Sequence, residues 1–96
     1  MKKHEWVKME EEGIAWLQSK GFKVLVRGGV LTPFDVIVAK NDKQYIVNIK
    51  ATTRHAGVFG VHFRNLERLM KSYPQYIPCI LFVCDNEYYL FQYVEP

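Results

Sequence analysis

Thr32-Pro33-Phe34-Asp35-Val36-Ile37-Val38-Ala39, a short polar turn, and then Tyr45-Ile46-Val47-Asn48-Ile49-Lys50 form the stretch from which the fold can be read. Each half is an apolar strand carrying one charge that a purely structural strand does not need. Asp35 sits among Phe34, Val36, Ile37 and Val38, and Lys50 closes a run of Ile46, Val47 and Ile49. Both segments have the apolar content of buried chain. A charge in such surroundings is costly unless it is paired or holds a metal ion.

Alternation sorts the side chains of a strand by face. Gln44, Ile46, Asn48 and Lys50 share one face of the second strand, and Tyr45, Val47 and Ile49 the other. Asn41-Asp42 followed by Lys43 is a tight polar connection of the kind that joins antiparallel neighbours. The two strands are therefore expected to pair, bringing Asp35, Asn48 and Lys50 to one edge of a small sheet. The plainer alternative is that Asp35 starts a strand after a Pro-containing turn and Lys50 ends one at the surface.

Upstream, His4 to Lys20 reads as an amphipathic helix stopped by Gly21. Val7, Glu10, Ile14 and Leu17 fall on one stripe, so Glu10 is an acid on the apolar side of the helix. Either it lies at the margin of the stripe with its head in water, or it aims at the same place as Asp35. Phe22 to Arg27 is a first strand and Gly28-Gly29 a turn, so three strands in succession form an antiparallel meander.

Downstream of Lys50, residues 51–60 form a loop in which Thr52, Thr53 and Arg54 could hold phosphates. Val61 to Tyr73 is a second helix, with Phe63, Leu66, Leu69, Met70 and Tyr73 as its buried stripe and Arg64, Arg68 and Lys71 as a basic one. Pro74 ends it. Ile77 to Val83 is apolar enough to be internal to the sheet, and Asp85-Asn86-Glu87 turns it into Tyr88 to Val94. Tyr88, Tyr89, Phe91 and Tyr93 suit core packing or a subunit interface better than stacking on bases.

The chain has 96 residues, enough for one domain with one modest core. No apolar run approaches the roughly 20 residues that span a bilayer, and the first residues lead into a charged helix rather than a signal sequence. A soluble, cytoplasmic protein with no membrane partner is expected. Cys79 and Cys84 are five apart in one strand, on opposite faces, and read as small buried hydrophobes. His4, His55 and His62 form no recognisable ligand set. The formal charge of +3 is unevenly spread. Lys40 to Lys71 holds seven Lys or Arg against two acids, whereas the segment from Ser72 holds acids and no Lys or Arg. A basic surface beside Asp35 and Lys50 fits a polyanion partner.

A helix with an acid, a three-strand meander with an Asp in its second strand and a Lys ending its third, then a helix and a strand: this order resembles the core of the PD-(D/E)xK nuclease superfamily, and within it the archaeal Holliday junction resolvases. Pro33-Phe34-Asp35 resembles the family's Pro-Asp motif with one residue inserted, and Asn48-Ile49-Lys50 stands where the family has Asp/Glu-x-Lys. Lys20-Gly21-Phe22-Lys23-Val24 is similar to its helix exit, and Pro78 to Val83 to its last core strand. The resemblance implies an α/β, restriction-endonuclease-like core over residues 1–96: a helix, an antiparallel three-strand meander, a helix and further strands in one mixed sheet.

It further implies a metal-dependent endonuclease hydrolysing DNA, with branched or structured DNA as a candidate substrate, and a homodimer. Mg²⁺ or Mn²⁺ would be held by Glu10, Asp35, Asn48 and the backbone carbonyl of Ile49, with Glu10, Asp35 and Lys50 as the catalytic set. Thr52, Thr53, Arg54, Arg64, Arg68 and Lys71 would contact nucleic acid. Asn48 departs from the pattern by supplying an amide where the family has a carboxylate. Glu67, the one acid of the second helix, is a candidate substitute. The alternatives are a catalytically degenerate member that binds nucleic acid or a partner protein, and an unrelated α/β domain in which Asp35 and Lys50 merely pair.

Overall fold

Asn41 and Asp42 both adopt left-handed backbone angles, φ 53° and 66°, and close a two-residue turn between Lys40 and Lys43. Turns of that hand match the twist of a two-stranded ribbon. They join β2 (Val36–Lys40) to β3 (Lys43–Ala51) in the antiparallel register Val36 to Val47, Ile37 to Ile46 and Val38 to Tyr45. The computed structural model describes residues 3–51, 59–84 and 86–94, with side chains over 7–51, 64–84 and 86–94. Around the hairpin lie α1 (Lys3–Ser19), β1 (Lys23–Arg27), α2 (Phe59–Ser72), β4 (Ile77–Cys84) and β5 (Glu87–Gln92).

The fold is mixed α/β. Its five strands form one sheet in the order β1-β2-β3-β4-β5, antiparallel except for β3 and β4, which run parallel. The connection through α2 makes that parallel step possible, since parallel neighbours need a crossover. Asp35, Asn48 and Lys50 were expected at a sheet edge, and here the expectation fails. Because β4 docks on the free side of β3, they stand near the middle of the sheet. As expected, β4 is internal, with Pro78 to Phe82 buried.

α1 covers one face. Met9, Ile14 and Leu17 pack with Val36, Val38, Val47, Ile49, Cys79 and Leu81 into an aliphatic core. The helix is rotated from the stripe read in the sequence: Val7 is 55% exposed and Met9 is buried in its stead. Gly13 explains the rotation. A Cβ there would lie 3.0 Å from Ile49 Cγ2 and 3.3 Å from Leu81 Cδ2, so the helix rests on the sheet through a residue with no side chain. α1 ends at Gly21, φ 94°, with Phe22 N donating to Leu17 O and Gly21 N to Gln18 O. This paired pattern satisfies the last carbonyls of a helix. Lys40 Nζ donates to Lys20 O at 2.7 Å, placing a cation at the same terminus.

α2 covers the other face, Leu69 against Phe34, Ile37 and Ile46, and Leu66 against Ile80 and Phe82. A bulge at Leu25 breaks the alternation of β1, so that Val24 opposes Val38 but Val26 opposes Ile37. Arg27 is thereby turned to the α1 side, where its Nη2 donates to Glu11 Oε2 at 2.7 Å. The late aromatics serve packing: Tyr88 stacks on Trp16 with ring centroids 5.3 Å apart, and Phe91 meets Phe82 edge-on at 5.7 Å. Cys79 and Cys84 are buried, and burial pushes the Cys79 thiol up to about 12. Among the described residues no helix is long and apolar enough to cross a membrane.

Candidate functional site

The site begins with how Asp35 is held. Gly28 N donates to Asp35 O at 2.8 Å and Asp35 N donates to Val47 O at 3.0 Å, so the backbone is tied to a neighbour on each side. A Cβ on Gly28 would fall 1.9 Å from Phe34 O, a separation no side chain can occupy. The Thr32 hydroxyl accepts from Gly29 N at 2.8 Å and lies 3.0 Å from Phe34 O, folding the turn back on itself. With the backbone fixed, Asp35 Oδ2 accepts from Ile49 N at 2.6 Å. The carboxylate thus takes a backbone donor of the very strand that carries Asn48 and Lys50.

Glu10, Asp35, Asn48 and Lys50 line one cavity of about 640 Å³. They come from α1, the entry to β2, and the C-terminal half of β3. Of the two readings of Glu10, the one that aims it toward Asp35 holds, and it does so from the margin of the buried stripe, half-buried. Asn48 is 8% exposed and is the buried polar residue of the described chain. Among the described residues its side chain makes no hydrogen bond. Leaving a buried amide unpaired costs about 1–3 kcal/mol. Nor does Lys50 form an ion pair within 4.0 Å among the described residues, where the ion pairs are Lys8 with Glu12 and Arg27 with Glu11. Simple Asp35–Lys50 pairing is therefore not what the structure contains.

Electrostatics follow from this placement. Burial holds the Glu10 carboxyl above its ordinary range, and the charge of Asp35 adds to the effect. Asp35 is likewise raised by burial, partly offset by the Ile49 amide and by the charge of Lys50. Two half-buried carboxyls, both raised by burial and one further raised by the other, stand beside an amide oxygen and form a hard-oxygen donor set that a divalent cation would relieve. The donors fit Mg²⁺ or Mn²⁺ in kind. The set is poor in charge, since among the described residues no three His, Cys, Asp or Glu side chains gather.

The other expected residues divide. The Ile49 side chain lies in the α1-side core, with its amide engaged by Asp35. Arg68 lines the cavity, whereas Arg64 and Lys71 are exposed and do not. Glu67 is also exposed and outside the cavity, because its position on α2 points away from the stripe that faces β3. Thr52, Thr53 and Arg54 lie outside the described residues. Sequence reasoning missed Asn65 and Ser72, which line the cavity from α2. The available signal was their spacing from Arg68 and Leu69, three and four residues, which puts all four on one side of a helix.

No protein-family model matches the sequence, and no curated protein does. Solved structures do resemble the fold. One is Hjc of Archaeoglobus fulgidus, a Holliday junction resolvase from an archaeal hyperthermophile, with a TM-score of 0.64 at 13% identity over 90% of this chain and 75% of that one. Another is the protein SSO0001, with a TM-score of 0.57 at 13% identity over 91% of this chain and 49% of that one. At such identity the likeness speaks of architecture: two helices on a five-stranded mixed sheet, in the fold of a Holliday junction resolvase.

Proposed function

We propose that residues 1–96 form one PD-(D/E)xK-type domain, a metal-dependent endonuclease that hydrolyses phosphodiester bonds in branched or otherwise structured DNA, with Asn48 in place of the second acid. The observation that carries the reading is the convergence of Glu10, Asp35, Asn48 and Lys50, from separate stretches of sequence, on one cavity. The resolvase-like fold supports the same substrate class. Mg²⁺ or Mn²⁺ would be held by Glu10, Asp35, the Asn48 amide oxygen and the Ile49 carbonyl. When bound, it supplies polarisation of a phosphodiester and acidification of water.

The chain's own residues do the rest. The Ile49 amide fixes one oxygen of Asp35 and so orients the other. Lys50, in no ion pair within 4.0 Å among the described residues, can orient or deprotonate the attacking water or offset charge that builds on the phosphate. Arg68 offers a second cation in the same cavity for the polynucleotide backbone. A homodimer would match the two-fold symmetry of a four-way junction.

Asn48 favours one second reading, a nuclease-fold protein that binds DNA without cutting it, because an amide brings no charge to a cation site. Labelled linear, nicked, flapped and four-way DNA incubated with Mg²⁺ or Mn²⁺ separates the two. Cleavage that Asp35→Ala and Lys50→Ala each lower by at least about 100-fold, the scale of losing one transition-state contact, is the expected result. Binding without cleavage in either metal, indifferent to both substitutions, would leave the second reading standing.

A further inference from the structure

Asn65, Arg68, Leu69 and Ser72 all line the cavity from α2. Their spacing places them within one narrow arc of the helix, with Leu69 buried at its foot and the three polar side chains toward the opening. At about 100° per residue, Arg64 and Lys71 lie off that arc, and Arg68 lies between the two groups. The basic stripe of α2 spans about 60°, with Arg68 on the side nearest the cavity. One of its three cations enters the cavity, in company with two neutral hydrogen-bonding groups that sit across from Asp35 and Lys50. Among the described residues Arg68 has no ion-pair partner, although Glu67 is its neighbour in sequence. It is left available to an anion.

We infer that Asn65, Arg68 and Ser72 form a strand-binding wall, taking the backbone phosphate and sugar next to the phosphodiester that Asp35 and Lys50 address. The inference rests on the nuclease reading for which bond is cut, but it concerns how one strand is held. Asp35 and Lys50 are half-buried and Asn48 is buried, so the reacting phosphate must descend to them. A cavity of about 640 Å³ has the size of a small-ligand site. It has room for a phosphate and the sugar beside it. α2 then acts as the opposite bank, with Arg68 on a phosphate and Asn65 and Ser72 on the sugar-phosphate oxygens beside it.

Counterion release distinguishes this wall from a diffuse basic face. Affinity for a labelled single strand and a four-way junction is measured without divalent metal across a series of salt concentrations, for the wild-type chain and for Arg68→Ala, Arg64→Ala, Lys71→Ala and the Asn65→Ala/Ser72→Ala double variant. Loss of one phosphate contact lowers the salt slope by about 0.7 for a single strand and about 0.9 for a duplex. That loss is expected for Arg68→Ala alone. The double variant is expected to bind several-fold more weakly with its slope unchanged, and circular dichroism checks that each variant is folded. Equal slopes for Arg68→Ala, Arg64→Ala and Lys71→Ala, or no measurable binding to either DNA, would overturn the wall. Cleavage by the wild-type chain with Mg²⁺ or Mn²⁺, scored separately, decides the nuclease reading whatever the slopes show.

Discussion

The two faces of β3 make the most instructive contrast in the molecule. On one, Val47 and Ile49 are sealed beneath α1 with Leu17, Val36, Val38 and Leu81, an aliphatic layer with nothing to hydrogen-bond. On the other, Ile46 is buried under α2, but the next two residues on that face are Asn48 and Lys50, beside Asp35 in a cavity. One strand thus carries a face built for burial and a face that trades burial for polar groups. Since desolvated polar groups without partners cost free energy, the second face has been kept polar against the interest of stability.

Four substitutions would break or sharpen that contrast. The largest effect belongs to the sealed face: Leu81→Ala is expected to cost about 2–5 kcal/mol in urea unfolding, the range for a fully buried Leu. Next comes Gly13→Val, where methyl groups must displace Ile49 and Leu81. It is expected to cost about 1–3 kcal/mol and to lower cleavage, because Glu10 moves with the helix. A Gly13→Val chain as stable as wild type would show that α1 is not seated as described.

On the polar face the sign reverses. Asn48→Glu is expected to tighten Mn²⁺ binding about tenfold by calorimetry, and to raise cleavage, since charge count tunes such sites. In the metal-free chain it should lower the unfolding midpoint, as a third carboxyl joins two that burial already raises. An unchanged Mn²⁺ affinity would place the cation elsewhere.

The smallest effect concerns pH. Burial raises the Asp35 pKa from its ordinary 3.8. The folded chain then holds that proton more tightly than the unfolded chain does. This contribution is complete below 3.8 and is lost as pH rises through the folded value. Metal-free Asp35→Asn, which never ionises there, is expected to be more stable than wild type at neutral pH, with a flatter profile from 3.8 upward. Parallel profiles for the two chains would show that the carboxyl is not desolvated.

The hairpin was legible from the start, because Asn41-Asp42 admits the left-handed turn and period-two alternation then assigns every side chain of β3 to a face. Asp35, Asn48 and Lys50 followed from that alternation together with the strand's entry. Three features were not legible. The true packing stripe of α1 runs through Gly13, and a residue with no side chain contributes nothing to an apolar pattern. The bulge at Leu25 adds one residue to β1, which no alternation rule can foresee, and so Arg27 changed sides. The central position of β3 depended on β4 choosing the free edge of β3, a tertiary preference that neither strand declares on its own.

That central position has a mechanical meaning. β3 is hydrogen-bonded to β2 on one side and β4 on the other along the length that holds Asn48 and Lys50. Asp35 is clamped between Gly28 and Val47, so the floor of the cavity is tied to a neighbour on each side. Were DNA bound there, a floor so tied would leave the bending to the DNA. On the proposed reading, the enzyme would act as a gauge of DNA compliance, favouring points where strands already bend or part at small elastic cost and passing over the stiff duplex between them.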